Sequence, residues 1–162
     1  MVARLAPEWE TTSWLNTEEP LSLAKLRGRV VLVHAFQMLC PGCVAHGLPQ
    51  TLRAAKLFAG APLAVVGLHT VFEHHEAMGE VSLRAFLHEY RMTFPVGIDA
   101  PGEGGDPIPR TMRAYGLEGT PTTILIDHEG RRRQQRFGAY DDLLLGAEIA
   151  LLLREAEVAE HG

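Results

Sequence analysis

Cysteine is scarce in this chain: two residues in 162, Cys40 and Cys43. The one bond they can form closes a four-residue loop, which removes little entropy from the unfolded chain and excludes a disulfide-stapled scaffold. Structural zinc wants four ligands, typically a second CxxC or a spaced histidine pair, and no second CxxC is present. Positive charge is also short. Fifteen Lys and Arg face 20 Asp and Glu for a net charge of -5, and the one basic run, Arg131 to Arg133, is flanked by Asp127 and Glu129. No wide basic surface is left for a phosphate backbone, which excludes nucleic acid as a partner. No segment approaches the roughly 18 uninterrupted apolar residues of a membrane span. The first ten residues carry Arg4, Glu8 and Glu10, with no apolar stretch behind a basic cap. No secretory signal is read there, so the expected location is the cytoplasm, or the periplasm if a leader has been removed.

What remains is an ordinary globular composition, 46% hydrophobic and 22% charged, with a length that suits one domain. The expectation is a single domain over 1–162, its first 20 residues an irregular extension anchored by Trp9 and Trp14. Val30 to Phe36 (VVLVHAF) is a nearly continuous β-branched and apolar run, which predicts a strand buried on both faces. A helical pattern follows Cys43 through Val44, Leu48, Leu52, Ala55 and Phe58, with a kink expected at Pro49. Leu63 to Leu68 predicts a second buried strand. Leu83, Phe86, Leu87 and Tyr90 recur at helical spacing within 81–92. Phe94 to Ile98 predicts a short strand, and Asp99 to Asp106 a loop. A short helix is expected over 108–115, strands over 121–126 and 131–137, and a last helix over 143–158 capped by Asp141. Strands alternating with helices make an α/β domain.

A buried strand leading into Cys40-Pro41-Gly42-Cys43 at a helix start is one signal. A second is the segment Phe94 to Pro101 (FPVGIDAP), and a third is Arg113 to Gly130 (RAYGLEGTPTTILIDHEG), whose Gly-Thr-Pro-Thr-Thr lies about 80 residues beyond the CxxC. In this order they resemble the thioredoxin superfamily, and within it the TlpA/ResA-like branch of redoxin, AhpC/TSA-related proteins. The likeness covers Pro20 to about Leu153. It implies a thioredoxin-like fold: a central mixed sheet flanked by helices, with a strand–helix insertion before a cis-proline loop. The chain departs from the branch at Leu39, where Trp is usual, at His46, where an acid is common, and at Pro49, one residue later than the usual proline.

The resemblance implies a thiol–disulfide oxidoreductase with no cofactor, acting on protein or small-molecule thiols and disulfides. Cys40, at the helix start, is expected to be the nucleophile, because free backbone N–H groups and the helix dipole favour a thiolate there. Cys43, one turn deeper, is expected to be the resolving thiol. Thr120-Pro121 would be the cis-proline turn, with the Thr120 backbone pairing with a substrate chain as an added strand. His34 lies six residues before Cys40, where thioredoxins carry a buried acid. It could relay the proton of Cys43, or be a hydrogen-bonded core histidine. His46 could tune the Cys43 thiol. His69, His74 and His75, with Glu73 and Glu76, read as a solvated loop ahead of a metal site. Two alternatives stay open. One is a peroxiredoxin-like peroxidase using Cys40, although Gln37 stands where that family places Thr. The other is a metal-binding or copper-delivery protein using the cysteines and a histidine.

Overall fold

The two long apolar runs lie side by side at the centre of the molecule. In the computed structural model, which describes residues 2–162, β2 (Val30–Phe36) pairs in parallel with β3 (Leu63–His69), with Val30 opposite Leu63 and Phe36 opposite His69. All seven residues of β2 are buried, as expected of a strand covered on both faces. β4 (Val96–Asp99) extends the parallel set beside β3. β5 (Thr122–Ile126) and β6 (Arg132–Phe137) add antiparallel strands on the other side of β2. The sheet reads β1-β4-β3-β2-β5-β6, a mixed sheet with the chemistry-bearing strand inside it.

β1 (Thr11–Leu15) corrects the irregular reading of residues 1–20. It pairs antiparallel with β4 at the sheet edge, with Leu15 opposite Val96. TTSWL lacks the apolar run of an inner strand because an edge strand has a neighbour on one side only, and its register shifts between Thr11 and Ser13. Met1 lies outside the described residues.

Helices cover both faces. Val31, Val33 and Ala35 of β2 pack with Met112 and Tyr115 of α3 (Arg110–Tyr115). Val30 and Leu32, on the opposite face, pack with Ala54 of α1 (Leu48–Leu57) and with Leu145, Ile149 and Leu152 of α4 (Asp142–His161). Phe36, at the end of that face, joins Leu48 of α1 and Leu83 and Leu87 of α2 (Glu80–Glu89). Asp141 caps α4, its carboxylate accepting from the Leu143 N–H at 2.7 Å, and that satisfies one of the helix's free amides. α2 and β4 form the strand–helix insertion, placed between β3 and α3. Among the described residues no helix is long and apolar enough to cross a membrane.

Candidate functional site

Cys40 and Cys43 are joined as a disulfide at the end of β2, with Cα atoms 5.2 Å apart. Strand alternation decides what lies beneath them. His34 faces the side of β2 that carries α1, two residues below Phe36, and the chain then leaves the sheet through Gln37 to Leu39. The chain is helical from Pro41, but Cys43–Gly47 is a π-helical turn, in which the Leu48 N–H donates to the Cys43 carbonyl. Pro49, near the start of α1, explains it. Its ring has no N–H and crowds the carbonyl four residues back, and the preceding turn is widened to the π form.

The two sulfurs differ in setting. Cys43 is buried at 1% exposure and belongs to the apolar cluster with Phe36, Leu48 and Leu83. Cys40 is partly exposed. The Cys43 N–H donates to Cys40 Sγ at 3.2 Å, the contact a helix start offers to negative charge on sulfur. The Cys40 N–H is itself occupied by the Gln37 carbonyl at 3.2 Å.

Thr120 and Pro121 close over the pair from the loop before β5. Their peptide bond is cis. The Thr120 carbonyl oxygen lies 3.4 Å from Cys40 Sγ. A Cβ on Gly42 would sit 3.3 Å from Pro121 Cδ, and one on Gly47 would sit 2.9 Å from Pro121 Cβ. The proline therefore rests against both ends of the helical turn that carries Cys43.

His34 is fully buried, and neither ring nitrogen has a hydrogen-bond partner. This replaces the hydrogen-bonded core histidine of the sequence reading. Its ring stacks on Phe36 at 5.2 Å between centroids and presses on the Gly47 turn. Burial holds its pKa down to about 4, because an apolar surround disfavours the charged imidazolium. His46 is exposed and lines a polar hollow with Gln50, Arg53, Tyr140 and Asp142. Among the described residues no hydrogen bond or ion pair joins it to either sulfur.

The histidine group after β3 is not one loop. β3 runs on to His69, which is buried, while His74 and His75 are exposed. His69 Nε2 accepts from the Met38 N–H at 3.3 Å, and burial lowers its pKa to about 4. Among the described residues no group of three or more His, Cys, Asp or Glu is arranged to hold a metal ion. Sequence reasoning gave no structural part to Gln37 or His69, two buried polar side chains that hold the segment leading to Cys40. The one available signal is that both sit where buried strands end, so their polar atoms need partners.

Residues 2–134 match the model of the AhpC/TSA family. A crystallised thioredoxin-like superfamily protein, SPOA0173, is 56% identical, covers 93% of this chain and 97% of its own, and superposes with a TM-score of 0.90. A thiol-disulfide isomerase from Corynebacterium glutamicum is 48% identical over 93% of this chain and 96% of its own, with a TM-score of 0.87. Protein DipZ of Mycobacterium tuberculosis is 28% identical over 149 residues, 90% of this chain but only 20% of DipZ, so the chain spans about a fifth of that relative's length. With the family model matched over most of its length and the α/β mixed sheet in place, the chain belongs to the AhpC/TSA family and has a thioredoxin-like fold.

Proposed function

We propose that the chain is a thiol–disulfide oxidoreductase of the thioredoxin type in which Cys40 is the nucleophile and Cys43 the resolving thiol. The observation that carries this is the asymmetry of the pair. Cys40 is partly exposed and its Sγ receives a main-chain N–H, while Cys43 is buried one turn deeper. In the reducing direction the Cys40 thiolate attacks one sulfur of a partner disulfide. That S–S bond breaks, the other partner sulfur leaves as a thiolate and takes up a proton, and a mixed disulfide forms. Cys43 then gives up its proton and attacks Cys40 Sγ, which expels the partner's second thiolate. Two electrons pass to the partner, and the Cys40–Cys43 disulfide remains.

Thr120 and Pro121 are proposed to receive the substrate chain, with the Thr120 main chain pairing with it beside Cys40. Protein thiols are the substrates that relatives of this kind suggest, and small-molecule thiols are a second class. A neutral His34 with a pKa of about 4 is poorly matched to take a proton from a thiol near 8.5. Its place under the Cys43 turn supports positioning rather than proton relay. His46 keeps no assigned part. A peroxidase is not favoured. Gln37, in the place of that family's Thr, spends its side chain on Phe72 and Thr120 rather than on a peroxide at Cys40.

The unit proposed is one domain, and the location proposed is the cytoplasm, where thiol pools would keep the pair reduced, with the periplasm as the alternative. The test is equilibration with glutathione buffers of stepped redox ratio, reading the Cys40–Cys43 disulfide by mass, alongside reduction of a peptide disulfide by the dithiol form. A reversible two-electron couple with stoichiometric peptide reduction is expected. A pair that never exchanges with glutathione or peptide would overturn the reading.

A further inference from the structure

We infer that Gln37 is a positioning residue, holding Thr120 against Cys40 and so favouring peptide-borne disulfides over small ones; this rests on the thiol–disulfide reading above. Gln37 is 1% exposed, and each end of its amide is used. Oε1 accepts from the Phe72 N–H at 3.1 Å, and Nε2 donates to Thr120 Oγ1 at 3.5 Å. Its carbonyl accepts from the Cys40 N–H. One side chain thus joins three segments that are far apart in sequence: the link from β2 to Cys40, the stretch after β3, and the loop before β5. Next to it, the Met38 N–H is held by His69, so the link is pinned from two sides.

A buried amide left without partners is costly, so Gln37 depends on both of its side-chain bonds. Of the two side-chain bonds, the one to Thr120 reaches the loop that lies against Cys40. It restrains the side chain of the residue whose carbonyl lies 3.4 Å from Cys40 Sγ. A peptide that pairs with the Thr120 main chain depends on that restraint. A small disulfide, with no chain to pair, needs only access to Cys40 Sγ.

The experiment uses the reduced full chain in single turnovers with two probes. One is a pair of ten-residue peptides joined by a disulfide, and the other is oxidised glutathione. The readout is the ratio of the two second-order rate constants, with the peptide concentration at half-saturation read separately. Gln37→Met keeps the length and removes both side-chain bonds, and Thr120→Val keeps the shape and removes the hydroxyl. Each is expected to lower the peptide-to-glutathione ratio about tenfold, through a higher half-saturation concentration, and the double variant is expected to fall no further than either single. A ratio within twofold of the unsubstituted chain for Thr120→Val would overturn the inference, even if Gln37→Met fails to fold. Independent, multiplying effects in the double variant would overturn it too. An unsubstituted chain inert to both probes would overturn the oxidoreductase reading itself and the role of Gln37 with it, whereas activity with an unmoved ratio removes the role of Gln37 alone.

Discussion

The His34 imidazole lies so close to Gly47 that a Cβ at position 47 would meet its Cε1 at 2.6 Å. Gly47 has ordinary helical dihedrals, φ -63 and ψ -48, so the glycine is there for space and not for backbone freedom. The contact links the middle of β2 to the π-turn that carries Cys43. Gly47→Ala is expected to destabilise the protein by about 1–3 kcal/mol, the usual cost of an extra methyl in a packed interior. Chemical denaturation of Gly47→Ala, His34→Ala and the pair checks it. Because both substitutions act on one contact, the double variant should lose less than the two singles added together.

His34 also sets how the fold responds to acid. Burial lowers its pKa from 6.5 to about 4, and the same holds for His69. The folded protein keeps both rings neutral, while the unfolded chain takes up protons once the pH falls below about 6.5. Their contribution is therefore intact above that pH and is lost between about 6.5 and 4, by up to about 3 kcal/mol for each ring. His34→Leu removes two unpaired nitrogens, so stability at pH 7 should hold or rise. The gap between variant and parent should widen as the pH drops towards 4. Urea titrations at stepped pH measure that gap and separate His34 from the carboxylates that titrate nearby. A constant gap would mean that the ring is not held neutral by the fold.

The parts of the fold legible in the sequence are those where burial dictates composition. VVLVHAF has to be a central strand, and β2 occupies those seven residues. The CxxC, the helix after it and the Thr-Pro-Thr-Thr strand follow from local chemistry and spacing. β1 is missed because a polar edge strand carries no burial pattern. The π-turn is missed because Pro49 announces a disturbance without saying that it widens the turn before it. Gln37 and Thr120 are 83 residues apart, and glutamine has no periodic signature, so their contact exists only once the sheet has formed. His69 reads as loop because the apolar run of β3 stops at Leu68, although the ladder to Phe36 and Ile98 continues through it.

Once the disulfide is reduced, the difference in exposure between the two sulfurs should appear as a difference in rate. Cys40 is partly open and Cys43 is 1% exposed. Iodoacetamide at sub-stoichiometric dose should label Cys40 at least about tenfold faster than Cys43, since thiolate character and access both favour it. Peptide mapping by mass spectrometry reads the distribution. Preferential labelling of Cys43 would exchange the roles assigned to the two thiols.

Those roles are decided by Cys43→Ser. The substitution leaves Cys40 its partial exposure and the backbone N–H of residue 43 that reaches its sulfur at 3.2 Å, so attack on an incoming disulfide should proceed. With no second thiol in the chain, nothing internal can expel the partner, and the mixed disulfide should persist until an outside thiol arrives. Cys40→Ser should capture far less, because the remaining sulfur is packed among Phe36, Leu48 and Leu83. Incubation of each variant with the disulfide-bridged peptide, followed by intact-mass analysis, measures capture directly. A parallel incubation with hydrogen peroxide scores sulfenic acid at Cys40, the product expected of a peroxidase. Efficient peptide capture by Cys43→Ser with slow sulfenate formation is the expected result. Fast sulfenate formation without capture would replace exchange with peroxide chemistry, and equal capture by both variants would remove the distinction between nucleophile and resolving thiol.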